Sequence, residues 1–252
     1  MLALFFVSLL FLNTGYALEC MTNCEINSRF GTPLRIPEGQ CQERTSSSSC
    51  SVRLSFAYDR QFYTARFGAF GAPYDLIFIT STPALSYDLQ FSCSENIECP
   101  VVYAQNKVDE MVARHYNATR ISEQLELLIN NPSRNGSIEC HDLRNNVMTC
   151  SSSELCSSSI DTKKKQIQSR RCDSDDGTAR VTIFDDDLSP RVDVKCRRNL
   201  CDGDTTFNQI KNILAKHGLT DANGRIISGG RKEIASSVSL TLAFVITLLS
   251  YL

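Results

Sequence analysis

Chemistry in this chain rests first on its cysteines. There are twelve: Cys20, Cys24, Cys41, Cys50, Cys93, Cys99, Cys140, Cys150, Cys156, Cys172, Cys196 and Cys201. An even number suits disulfide pairing in an oxidising compartment. The rival chemistry is zinc binding. Structural zinc sites space paired cysteines roughly two to four residues apart and match them with a second pair or with histidine. Cys20/Cys24 and Cys196/Cys201 approach that spacing. The two targeting signals described below place the chain in the secretory pathway and decide for bridges. All twelve are therefore expected in disulfides, with no metal site and no cofactor.

Hydrolytic chemistry would need a nucleophile, a base and an orienting acid brought together in space. The chain has three histidines, His115, His141 and His217. The serine-elbow pattern Gly-x-Ser-x-Gly does not occur. His115 and His217 fall at matching helix ends, a structural place where the dipole favours a cation. No catalytic residue is assigned. Hard oxygen ligands for calcium occur in Asp173-Ser174-Asp175-Asp176-Gly177 and Asp185-Asp186-Asp187. Asp221-Ala222-Asn223-Gly224 resembles the middle of an EF-hand loop. Counted from Asp221 as its third position, that loop has Leu219 first and Gly230 last, where an EF-hand needs acids. Acidic turn residues are usually just solvated. Phe67, Phe70 and Tyr74 flank a glycine-containing loop that could present aromatic rings to a ligand.

The elements that position these residues follow from spacing. Cys41, Cys50, Cys93 and Cys99 match Cys140, Cys150, Cys196 and Cys201 at separations of 99 to 103 positions. Ala113-Arg114-His115 and Ala215-Lys216-His217 follow the closing cysteines at equal distance. Two tandem modules are expected from a duplication, 18–130 and 131–220; if each keeps its bridges to itself, each holds three, and the sequence does not set the pairings. Small modules need such staples, because a short chain buries too little apolar surface. The fold class is α+β, with antiparallel β hairpins followed by a helix in each module. Val52, Leu54 and Phe56 alternate with polar residues as a half-buried strand does. Residues 62–67 return after a turn at Asp59-Arg60. Residues 76–80 read as a strand buried on both sides or at a sheet centre, and Tyr87, Leu89, Phe91 and Cys93 alternate again. Residues 108–128 read as one helix, with Val108, Met111, Val112 and His115 on one face. In the second module 151–159 reads as a serine-rich loop. Val181 and Ile183 with Val192 and Val194 read as a hairpin. Residues 205–217 read as a helix capped by Asp204 or Thr205 and ended by Gly218.

The two ends carry addresses. Residues 1–12 are apolar and Gly15-Tyr16-Ala17 ends in small residues, so 1–17 reads as a signal peptide. At the other end Ser228, Gly229 and Gly230 precede a short polar spacer and an uncharged run, 238–252. That is the layout of a signal for attaching a glycosylphosphatidylinositol (GPI) lipid, with Ser228 as the attachment residue, 221–228 as a linker and 229–252 removed. A transmembrane helix needs about 20 apolar residues, and this run is shorter. Asn117-Ala118-Thr119 and Asn135-Gly136-Ser137 are glycosylation sequons at Asn117 and Asn135.

A net charge of −2 gives no basis for binding nucleic acid. Leu18-Glu19-Cys20 and the closing Cys196 to Cys201-Asp202 resemble the two ends of Ly6-type three-finger domains, which are also GPI-anchored. The resemblance covers those ends alone. The Cys20/Cys24 spacing, Asp202 in place of Asn and a helix after each closing pair depart from that family. The expectation is a glycoprotein on the extracellular face of the plasma membrane, held in the outer leaflet by its lipid. It would bind an extracellular protein or glycan or form part of a structural coat. The alternative is a GPI-anchored ectoenzyme, a hydrolase.

Overall fold

The computed structural model describes residues 17–131, 136–174, 176–186 and 188–227. The signal peptide before Ala17, the sequon residue Asn135, the attachment residue Ser228 and the tail after it lie outside the described residues.

The chain runs β1 (Leu18–Met21), β2 (Cys24–Arg29), β3 (Arg44–Ser47), β4 (Cys50–Ala57), β5 (Phe62–Gly68), β6 (Tyr74–Thr80) and β7 (Ala84–Cys93). Two helices follow, α1 (Cys99–Ala113) and α2 (Ala118–Ile129). Then come β8 (Ile138–His141), β9 (Val147–Cys150), β10 (Glu154–Asp161), β11 (Gln166–Ser174), β12 (Arg180–Asp185), β13 (Arg191–Cys196) and α3 (Asp204–Lys216). Nine strands form one antiparallel sheet in the order β11-β10-β13-β12-β6-β7-β4-β5-β2. Two-stranded sheets, β1-β3 and β8-β9, stand beside it.

Period-two patterning sets the sheet's two faces. Val52, Leu54, Phe56, Ile77, Ile79, Leu85 and Leu89 point into the core. Their neighbours Arg53, Ser55, Leu76 and Phe78 are only half-buried. Residues 76–80 thus form a strand at the sheet centre, fifth of nine, and are buried on one side rather than two, because the described helices lie on the core side. Strands β6 and β12 join the two halves of the chain: Ile77 lies opposite Ile183, Ile79 opposite Val181 and Leu76 opposite Phe184. Core residues from both halves belong to one buried cluster.

Six disulfides complete the frame: Cys20–Cys50, Cys24–Cys41, Cys93–Cys99, Cys140–Cys156, Cys150–Cys172 and Cys196–Cys201. No cysteine is free, and every bridge stays within its own half. Cys50 faces Cys93 across β4 and β7, and Cys156 faces Cys196 across β10 and β13. Each of these four bonds to a cysteine outside the large sheet.

Several expectations are corrected. The helix expected over 108–128 is two helices, the first starting at Cys99. His115 takes φ 47° just after α1, and Asn117 caps α2 by accepting a hydrogen bond from the Arg120 amide at 2.9 Å. His115 therefore leaves the apolar face and is exposed. The serine-rich stretch 151–159 is mostly strand β10, flanked by β11 and β13. Paired on both edges, its backbone gains more than the local turns that serine favours. Gly203, not Asp204 or Thr205, occupies the cap of α3. Asp204 turns away to Arg170. The expected linker 221–228 is not free over its described part: Ile226 is buried and bridges Thr220. Among the described residues no helix is long and apolar enough to cross a membrane.

Candidate functional site

The histidines do not converge. The His141 ring accepts or donates at Nδ1 to Asp202 at 2.9 Å, and the same carboxylate takes the His141 backbone amide. Asp202 is fully buried. His217 reaches Gln124 at 3.2 Å. Its pKa is lowered, first by burial and then by Arg120 and Lys216. Burial thus outweighs the helix dipole that would favour a cation there. Among the described residues the ring partners are Asp202 and Gln124, with no serine, threonine or cysteine among them.

Asp175 and Asp187 lie outside the described residues; the other acids of these runs are engaged with basic side chains and backbone amides. Asp173 pairs with Lys195 at 2.8 Å, Asp176 with Arg180 at 2.5 Å and Asp185 with Arg225 at 3.0 Å. Asp186 accepts from the amides of Leu188 and Ser189. Asp221 closes the turn below it through the amides of Asn223 and Arg225. Paired to cations, Asp173 and Asp176 have their pKa values lowered mainly by Lys195 and Arg180. The sulfurs of Cys156, Cys196 and Cys201 cluster closely, but all are bridged and offer no thiolate.

The face of the large sheet turned away from the helices carries a different array. Arg53 on β4 lies 5.4 Å from the Phe70 ring and 5.7 Å from the Tyr74 ring. Tyr74 on β6 stacks on Phe184 of β12 at 5.9 Å. Arg191 on β13 lies 4.5 Å over Phe184 and pairs with Asp193 at 3.2 Å. Rings and guanidinium planes thus alternate across the junction of the two halves. Such contacts are each worth about 0.5–1 kcal/mol at exposed sites.

The array is held from beneath. Gln90 accepts from Arg53 at 3.0 Å and donates to the carbonyls of Gly71 and Ala72 at 2.7 and 2.9 Å. This pins the loop that carries Phe70. The ring rests on Gly68, where a Cβ would come within 2.8 Å of it. Bulk at that position would lift Phe70 off Arg53. Asp88 sits on the same face, its pKa raised by burial against the opposing effects of Ser55 and Arg53.

Of the three aromatics singled out by the sequence, Phe70 and Tyr74 belong to this array. Phe67 does not; it is 2% exposed and faces the core. Arg53, Phe184 and Arg191 were missed. Alternation places each of them away from the core, but the meeting of Tyr74 with Phe184 depends on β6 pairing with β12.

A second arrangement lies where the described chain ends. Arg114 donates to the Ile227 carbonyl and to the Tyr116 hydroxyl, both at 2.9 Å, and pairs with Glu110 at 2.6 Å. Tyr116 donates in turn to the Gly218 carbonyl at 3.0 Å. The first half of the chain thereby grips the segment that leads toward Ser228. Asn117 is exposed just beyond. Its Oδ1 caps α2, while its Nδ2, the atom a glycan would occupy, has no hydrogen-bond partner among the described residues.

Comparison of the chain with protein-family models, with curated proteins and with solved structures finds no match.

Proposed function

We propose that the protein is a GPI-anchored, cysteine-rich glycoprotein of the cell surface. It binds an extracellular protein or glycan through the open face of its large sheet. The observation that carries this reading is the Phe70–Arg53–Tyr74–Phe184–Arg191 array. Aromatic and arginine side chains are the ones that dominate recognition surfaces, and here they share a face that no helix covers among the described residues. The six bridges fit an extracellular location. The signal peptide, the lipid at Ser228 and glycans at Asn117 and Asn135 belong to the same proposal.

The two halves are proposed to descend from one module. Strands β5-β4-β7-β6 and β11-β10-β13-β12 occur in the same order on either side of the junction. Cys50 and Cys156 occupy like positions, as do Cys93 and Cys196. On this register Cys20–Cys50 matches Cys140–Cys156, which replaces the pairing of Cys50 with Cys150 that spacing suggests. A helix follows each closing bridge.

Two experiments test the function. Phosphatidylinositol-specific phospholipase C applied to expressing cells should release the protein into the medium; retention until detergent is added would sink the anchor. Purified 18–227 should label cells or matrix in flow cytometry, and Arg53→Ala with Tyr74→Ala should abolish labelling while the disulfide map is unchanged. Labelling that survives both substitutions would exclude this face.

The ectoenzyme alternative has one observation behind it, the His141–Asp202 couple. It predicts ester or peptide hydrolysis by 18–227 that is lost in His141→Gln.

A further inference from the structure

We propose that a cleft between α3 and the β10–β11 hairpin binds an anionic saccharide. The cleft measures about 610 Å³, within the range of about 300–1,000 Å³ typical of small-molecule sites. It lies on the helix side of the sheet, so it is separate from the arginine–aromatic face.

Its floor is apolar, made by the half-buried Ile160 and Ile167 over the buried Phe207. Around that floor stand Lys165, Gln166, Asn208, Lys211 and Asn223. They come from the β10–β11 turn, the start of β11, α3 and the turn after Asp221. Among the described residues, none of these five side chains has a hydrogen bond or ion pair.

Charge points to the ligand's sign. Asp204 is the one carboxylate lining the cleft, and it is engaged by Arg170 at 2.7 Å, whose side chain is 1% exposed. The ammonium groups of Lys165 and Lys211 are left uncompensated. Three carboxamides can each donate and accept, which suits neighbouring hydroxyls. The apolar floor suits the C–H face of a sugar ring. An inorganic anion would use neither the carboxamides nor the floor. A nucleobase would seek an exposed ring to stack on, and Phe207 is buried (2%).

The walls are fixed before any ligand arrives. A Cβ on Gly224 would lie 3.3 Å from the Lys211 stem and 3.5 Å from Thr162. The turn therefore runs close beside that stem, with no room for a larger residue at 224. Thr162 is itself tied to the Pro190 carbonyl at 3.2 Å. Groups held in place lose little freedom on binding, which favours affinity.

The test is calorimetric titration of 18–227 with a heparin tetrasaccharide and with 3′-sialyllactose, with lactose and sodium sulfate as controls. At least one acidic saccharide should bind with one-to-one stoichiometry. Lys211→Gln and Asn208→Ala should each weaken it about tenfold, equivalent to about 1.4 kcal/mol. Lys216→Gln, further along α3 and outside the cleft, should leave it unchanged. Binding by the heparin fragment alone identifies sulfate as the recognised group; binding by sialyllactose identifies carboxylate. Failure of both to bind overturns the proposal. So does equal weakening by Lys216→Gln, or sulfate competing as well as the saccharide does, since either would mean unspecific charge attraction. Arg53→Ala should not alter the titration, which keeps the result independent of the open face.

Discussion

At the scale of single residues, most buried polar groups here have partners, and the exceptions are informative. Tyr87 is fully buried, and among the described residues its hydroxyl has no hydrogen-bond partner. Burial, with the nearby Asp75 charge, raises its pKa well above that of a free tyrosine. A buried hydroxyl without a partner costs stability. Tyr87→Phe is therefore expected to leave stability unchanged or raise it by about 1 kcal/mol, read from urea denaturation. A loss of similar size would mean that the hydroxyl is satisfied. His217 gives a pH signature. Its folded pKa lies below the unfolded value of 6.5, so the unfolded chain binds the proton first. Stability should hold above 6.5 and fall as the pH drops from there toward the folded value. The melting temperature of His217→Gln should change less than that of the wild type between pH 7.5 and pH 5.5. Equal changes would assign the effect elsewhere.

At the scale of elements, the bridges act on loops of very different length. Cys20–Cys50 spans 30 positions and Cys196–Cys201 spans 5. Closing a longer loop removes more entropy from the unfolded chain. Replacing the first pair by alanines should cost more than replacing the second, by about 1.6 kcal/mol in the chain-entropy account. Denaturant midpoints of the two double variants would check this; the reverse order would place the weight of Cys196–Cys201 in native packing around Asp202 and α3. The helices show where local preference gives way. Residues 99–129 carry apolar residues at helical spacing throughout, yet the chain breaks at His115. Tyr116 turns in to pack against Tyr58 at 5.0 Å and to bond Gly218. These long-range contacts are gained only when the helix is interrupted.

At the scale of the whole molecule, the seam between β6 and β12 governs behaviour. Cutting the chain between its halves would leave β6 as a sheet edge with Leu76, Ile77, Phe78 and Ile79 at its rim. Exposed apolar edges invite association. The segment 18–130 alone should refold poorly and elute as oligomers in size-exclusion chromatography, whereas 18–227 refolds as one species. A soluble monomeric 18–130 with all three bridges formed would show that the seam is dispensable.

The sequence by itself determined the bridged state of its cysteines and most strands of the large sheet. Alternation is a local signal with a period of two residues, so Val52, Leu54 and Phe56, or Val181 and Ile183, declare their core face without reference to any partner. It also marked Phe70 and Tyr74. The tertiary structure alone decided the partners of Cys50 and Cys156, the strand character of the serine-rich 151–159 and the array on the open face. Each of these depends on which strands lie side by side. Strand pairing is settled by backbone hydrogen bonds and packing between segments about a hundred residues apart, and no local pattern encodes that choice. The same holds for the cleft beside α3: its polar groups come from separate turns and a helix, and only the closed sheet brings them together.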